Sequence, residues 1–329
     1  MARTILTRMV WLAMLAFVLA PDPARAACKL ELISSVDVQL GGAGAVLLPV
    51  KINGHDTWMV LQMSSGISLV NRKVAEQLGM EFQEQRKFQS NQGNGRYFPQ
   101  MSIVGSMLVG ATNFAGWSLY VLPPSDQPPP MYRGLPVLGP LSSQIALAAD
   151  MELDLAHGKL NLFKQTSACD GGQAYWGGEV TAVPLYVDQS GLLVFPVEVD
   201  GKAVEASLNT QGRFTVMSQK VINKFFGKDS GKAKSQPGFR SMSLTAKGLE
   251  MNDIEVRLLD DKKSPCVPTT SDRHSRAIGF DQCLSQAPLS IGTDLLRRLR
   301  IYIATKEGRI FFTRVGPDPA TAAVRSGAD

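Results

Sequence analysis

Residues 49–61 read PVKINGHDTWMVL and residues 196–208 read PVEVDGKAVEASL, and the two stretches align without a gap at an offset of 147. Pro49 falls on Pro196, Val50 on Val197, Gly54 on Gly201 and Leu61 on Leu208. In each copy an apolar, β-branched run is broken at Asn53-Gly54 or Asp200-Gly201 and then resumes, the pattern of two strands joined by a tight turn. A hairpin that recurs at this distance makes the chain a duplication.

The register carries on past the hairpin. Lys73-Val74 falls on Lys220-Val221 and Leu78 on Phe225, with apolar residues at helical spacing, and Val74, Leu78 and Gly79 predict a short helix stopped by a glycine. Each half also ends alike, Pro136-Val137-Leu138-Gly139-Pro140-Leu141 against Leu289-Ser290-Ile291-Gly292-Thr293-Asp294-Leu295, followed by a short apolar helix and a hairpin turning at Gly158 or Gly308. The offset at those glycines is 150, so this alignment expects three extra residues in the first half between the closing loop and the last turn. The expected organisation is two homologous, mostly β lobes at 30–168 and 180–315. A linker at 169–179 containing Asp170-Gly171-Gly172-Gln173 joins them, and a disordered tail follows at 316–329.

Ahead of the lobes, Arg3 and Arg8 precede an apolar run from Met9 to Ala20, and Ala24-Arg25-Ala26 supplies small residues for cleavage. This reads as a signal peptide over 1–26, and its apolar run is shorter than the ~20 residues a spanning helix needs. Export to the periplasm or beyond is therefore expected, with no membrane span after cleavage. In such a compartment Cys28, Cys169, Cys266 and Cys283 are disulfide candidates. Three pairings are open, of which Cys28–Cys169 and Cys266–Cys283 are favoured. The cysteine spacings fit no zinc motif, and His55, His157 and His274 are scattered, so neither metal nor cofactor is expected. The net charge of +5 includes Arg3, Arg8 and Arg25, which argues against a nucleic-acid groove. Lys228, Lys232 and Lys234 read as a solvated loop, and Pro123–Pro130 as an extended surface loop of the first lobe.

The order of hairpin, turn, helix, long strands, then a hydrophobic-hydrophobic-Gly loop and a short helix resembles the retropepsin-like and pepsin-like aspartic proteases, especially exported bacterial members. Val137-Leu138-Gly139 and Ser290-Ile291-Gly292 fit the closing loop, and Gly292-Thr293-Asp294-Leu295-Leu296 fits its helix start. The resemblance implies a mostly β, bilobal acid-protease fold. It also implies a glycine-rich segment over the cleft, where Gly93, Asn94 and Gly95 lie. In that family the turn after the hairpin reads Asp-Thr-Gly followed by Ala or Ser. Here the first lobe reads Gln62-Met63-Ser64-Ser65 and the second Asn209-Thr210-Gln211-Gly212.

Gln62 and Asn209 thus occupy both catalytic aspartate positions. Aspartic proteases work through two carboxylates that share one proton, one drawing a proton from water while the other donates to the substrate carbonyl. An amide donates and accepts hydrogen bonds but has no proton to exchange. Thr210 retains the family's hydroxyl, which Met63 lacks, and Ser64 and Gln211 place side chains where the family has glycine. Asp56 and Asp294 read as surface or capping residues, and Ser64 and Ser65 as structural, with no His and Asp partners in evidence. No catalytic residue is assigned. Met63, Ser64, Ser65, Thr210, Gln211, Gly212, Gly93, Asn94 and Gly95 are the candidates for contacting a ligand. The expected function is that of an inactive pseudoprotease whose cleft binds an extended peptide or another exported protein. The alternatives are an atypical aspartic-type peptidase and a structural or assembly partner.

Overall fold

The hairpin turns are set by local backbone chemistry. In the computed structural model, which describes residues 30–84, 100–122, 128–165, 180–188, 191–227, 238–259 and 287–315, Asn53 and Gly54 have φ of 49° and 87°, and Asp200 and Gly201 have 45° and 73°. Positive φ at both central residues gives a turn whose twist matches that of the paired strands, and Asn, Asp and Gly tolerate it best.

The first half contains β1 (Leu32–Asp37), β2 (Gln39–Leu40), β3 (Val46–Ile52), β4 (His55–Gln62), β5 (Leu69–Val70), α1 (Arg72–Gln77), β6 (Gln83–Glu84), β7 (Gln100–Val104), β8 (Met107–Val109), β9 (Thr112–Phe114), β10 (Trp117–Val121), β11 (Met131–Tyr132), β12 (Leu135–Ser142), α2 (Gln144–Ala148), β13 (Asp150–Asp154) and β14 (Lys159–Phe163). The second contains β15 (Thr181–Pro184), β16 (Tyr186–Val187), β17 (Leu193–Val199), β18 (Lys202–Leu208), β19 (Thr215–Ser218), α3 (Gln219–Phe226), β20 (Phe239–Ala246), β21 (Leu249–Leu259), β22 (Leu289–Ile291), α4 (Thr293–Leu296), β23 (Leu299–Ala304) and β24 (Arg309–Arg314). The helices are short, and the equivalent pair α1 and α3 are capped alike: Asn71 Oδ1 accepts from Val74 N ahead of α1, and Ser218 Oγ from Val221 N ahead of α3, whereas neither α2 nor α4 has a side-chain cap. The fold is the mostly β, two-lobed one that the repeat implies.

The lobes share a six-stranded sheet in the order β1-β14-β13-β23-β24-β15. Across its middle, Met151 lies opposite Ile303 and Leu153 opposite Ile301. These pairs exchange under the repeat offset of 150, so a pseudo-twofold axis passes between β13 and β23. Met151, Leu153, Ile301 and Ile303 are fully buried in the main core, while Asp150, Glu152 and Asp154 alternate with them on the other face.

Within each lobe a strand from the closing segment runs parallel to the second hairpin strand, with Leu141 opposite Leu61 and Ile291 opposite Leu208. This ladder corrects the alignment of the closing loops. Pro140-Leu141-Ser142, not Val137-Leu138-Gly139, is the counterpart of Ser290-Ile291-Gly292, and the offset is already 150 there. The amides agree: Ser142 N donates to Ser68 Oγ (3.0 Å) as Gly292 N donates to Thr215 Oγ1 (3.1 Å). Gly139 is a glycine for another reason, since its φ is 153° and a Cβ would lie 2.2 Å from the Leu69 carbonyl oxygen. The same shift explains a difference between the lobes. Ser290 pairs with Val216 and ties β22 to β19 in one seven-stranded sheet, but its counterpart Pro140 has no N–H to give. In the first lobe β5 therefore leaves for a separate sheet with β10, β7 and β6.

Candidate site at the paired turns

The two turns meet through one buried threonine. Thr210 is fully buried; its hydroxyl donates to the Leu61 carbonyl (2.6 Å) and accepts from Met63 N (3.0 Å). Met63 and Thr210 are equivalent positions of the repeat, so this contact lies at the pseudo-twofold axis. Leu61 directly precedes Gln62 and Thr210 directly follows Asn209, which brings the two amide-bearing positions to the same junction. Met63 has no hydroxyl to return the bonds, so the grip is one-sided.

A second contact is two-sided. Ser143 Oγ approaches the carbonyls of Ser65 and Gly191 at 2.8 Å each, and Thr293 Oγ1 those of Gly44 (2.9 Å) and Gly212 (3.3 Å). Gly44 (φ 80°) packs on Arg213, where a Cβ would come within 2.8 Å of its Cα, and Gly191 (φ 79°) packs on Gly66. Each lobe thus presses the turn ahead of its own hairpin onto the other lobe. The turn Gly41–Gly44 closes β2 onto β3 and serves this docking. The signal was present in the sequence, since Gly44 and Gly191 stand at the repeat offset.

At the junction the two amides differ. Gln62 is 8% exposed, and its Oε1 is buried without a hydrogen-bond partner among the described residues. Asn209 is half-buried, and its Oδ1 accepts from the amides of Gln211 and Gly212 at 3.2 Å each. A Cβ on Gly212 would approach Asn209 Nδ2 to 2.9 Å and push that amide aside. Three of the ligand-contact candidates point elsewhere. Met63 and Thr210 are fully buried and Ser65 is 5% exposed, its hydroxyl bonded to the Ile67 backbone, so these residues build the turns. Ser64, Gln211 and Gly212 are half-buried beside the junction. Gly93, Asn94 and Gly95 lie outside the described residues, as do all four cysteines, residues 1–26, Lys228, Lys232, Lys234, His274, most of the proline-rich run, the linker and the tail.

The carboxylates of Asp294, beside the junction, and of Asp56, at the other end of β4, are both occupied. Asp294, at the start of α4, accepts from Leu295 N (2.7 Å), Thr215 Oγ1 (3.1 Å) and Thr215 N (3.4 Å). Burial pushes its carboxyl up from the usual range and these donors pull it back. Asp56 lies in β4 rather than in the hairpin turn, exposed and paired with Lys51 (3.5 Å). His55 is exposed at the far end of β4, and His157 faces solvent while bonded to Asp154 (2.8 Å). Among the described residues no three potential ligands are close enough to hold a metal, and no helix is long and apolar enough to cross a membrane.

No protein-family model and no curated relative matches the sequence. Among solved structures the chain is similar to basic 7S globulin from soybean, with a TM-score of 0.48 and 11% identity over 87% of this chain and 95% of that one. It is similar also to an aspartic proteinase from Irpex lacteus, with a TM-score of 0.47 and 10% identity over 87% of this chain and 98% of that one.

Proposed function

We propose that this chain is an exported, non-catalytic protein of aspartic-protease architecture that holds an extended peptide at its paired turns. The observation that carries the reading is the junction itself, where Thr210 ties turn to turn and the positions beside it are Gln62 and Asn209. Neither amide exchanges a proton at ordinary pH, so water bound there lacks a general base and a scissile carbonyl lacks a general acid. Loss of such groups removes ~10²–10⁴-fold of rate apiece. Binding needs no ionisation. Asn209 Nδ2, on a half-buried side chain, is a donor suited to a peptide carbonyl, while the buried Gln62 Oε1 is an unspent acceptor that meets a peptide N–H only if its amide turns outward.

Incubating the purified mature protein with a peptide library from pH 3 to pH 8, scored by mass spectrometry for both cleavage and retention, tests this. Retention without new termini is the expected outcome. Cleavage that a transition-state mimic of aspartic proteases blocks would establish the peptidase alternative, and neither retention nor cleavage would favour an assembly role.

A further inference from the structure

The duplication supplies an internal control for one cavity. In the first lobe the β8–β9 turn lies directly on β1: Ser34 Oγ donates to Val109 O (2.9 Å) and accepts from Ala111 N (3.1 Å). This closeness requires Gly110, because a Cβ there would lie 2.1 Å from Ser34 Oγ. The second-lobe counterparts follow from the ladders. Thr181 stands at the repeat offset from Ser34. Lys247 answers to Gly110, because β3 pairs with β8 at Lys51–Leu108 and β17 with β20 at Glu198–Thr245. Lys247 carries the Cβ that Gly110 lacks and Thr181 adds a methyl, so the β20–β21 turn stands off from β15. Between them a recess of about 400 Å³ opens, lined by Thr181, Gly248, Leu249, Glu250, Thr313 and Arg314.

Its charges are uncommitted. Among the described residues Glu250 and Arg314 have no ion-pair or side-chain hydrogen-bond partner, and the Thr181 hydroxyl makes none of the bonds that Ser34 makes. One carboxylate and one guanidinium on a single recess match a ligand with both an ammonium and a carboxylate, since a simple anion or cation would leave one of them facing a like charge. The half-buried Leu249 offers apolar contact beside them. We propose that this recess, separate from the paired turns, binds a small α-amino zwitterion of up to dipeptide size, its ammonium on Glu250 and its carboxylate on Arg314.

The test titrates the mature protein with L-alanyl-L-alanine, its N-acetyl derivative and its C-terminal amide, following backbone amide shifts of Leu249 and Thr313. The free dipeptide is expected to saturate these shifts. Blocking either terminus, or the variants Glu250→Gln and Arg314→Gln, is expected to weaken binding about three- to tenfold, as suits exposed charges. The double variant Thr181→Ser with Lys247→Gly, which restores the first-lobe contact, is expected to abolish it. Equal binding of all three peptides, indifference to both charge variants, or no shift up to about 50 mM free dipeptide would each overturn the proposal.

Discussion

Thr210 spends its hydroxyl twice, as donor to Leu61 and acceptor from Met63, in a position with no access to water. Thr210→Val keeps the shape and strands both partners, so a loss of about 2–4 kcal/mol in urea unfolding is expected, with Thr210→Ser retaining most of the stability. The amides separate in the same way. Asn209→Asp keeps the Oδ1 that receives Gln211 and Gly212, in a half-exposed setting, and should shift stability by less than about 1 kcal/mol. Gln62→Glu places a carboxylate in a buried site where, among the described residues, no donor meets the Oε1 position, which raises its folded-state pKa above the unfolded one. The folded form of that variant then binds the extra proton. It should match the wild type near pH 4 and lose stability as pH rises through the folded pKa; a cost that does not change with pH would show that Oε1 finds a donor in solution. Positions 62 and 209 were legible because a hairpin repeat fixes the residue that follows each second strand. The orphan oxygen was not, since it depends on what packs around the turn from both lobes.

Elements that dock backbone to backbone tolerate no added carbon. Gly44 and Gly54 both have φ above 80° or near it, but a Cβ on Gly44 collides with Arg213 while one on Gly54 meets nothing within 4 Å. Gly54→Ala should therefore cost only the backbone strain, about 1 kcal/mol, whereas Gly44→Ala should cost about 3 kcal/mol or more and broaden the unfolding transition as the lobes uncouple. Equal costs in a denaturant melt would remove the docking role from Gly44. This contrast also marks what sequence reading can reach. Turns at Asn53-Gly54 and Asp200-Gly201 announce themselves locally, as does the helix stop at Gly79, whose φ is 64°. Glycines required by a distant neighbour do not. Sequence identity pairs Gly139 with Gly292, three residues out of register, because the strand that makes Gly139 necessary, β5 at Leu69, is far away in sequence.

The shared sheet binds the halves into one molecule, and its polar face makes that union sensitive to pH. Asp150, Glu152 and Asp154 are all buried on one face of β13, and the described cations near them are few. Arg300 reaches Glu152 (3.1 Å) and Asp154 (3.9 Å), and His157 reaches Asp154. Asp150 has the Tyr302 hydroxyl at 3.2 Å across the lobe boundary, and its Oδ1 has no partner among the described residues. Burial lifts the Asp150 carboxyl to about 6, against the opposing pull of Tyr302, Gln165 and Lys306, and burial with the Asp150 charge raises Tyr302 as well. Because the folded-state pKa lies above the ordinary 3.8, the folded molecule holds a proton that the unfolded chain has released between about pH 4 and 6. Stability from this group is therefore present at low pH and lost as pH rises through about 6, a change on the order of 2–3 kcal/mol. Asp150→Asn removes the titration. The difference in urea unfolding free energy between Asp150→Asn and wild type should move in the variant's favour from pH 4.5 to pH 6.5 and stay level to pH 8; a difference that is flat across the whole range would mean the carboxylate is ionised at no cost and the shared sheet is indifferent to pH.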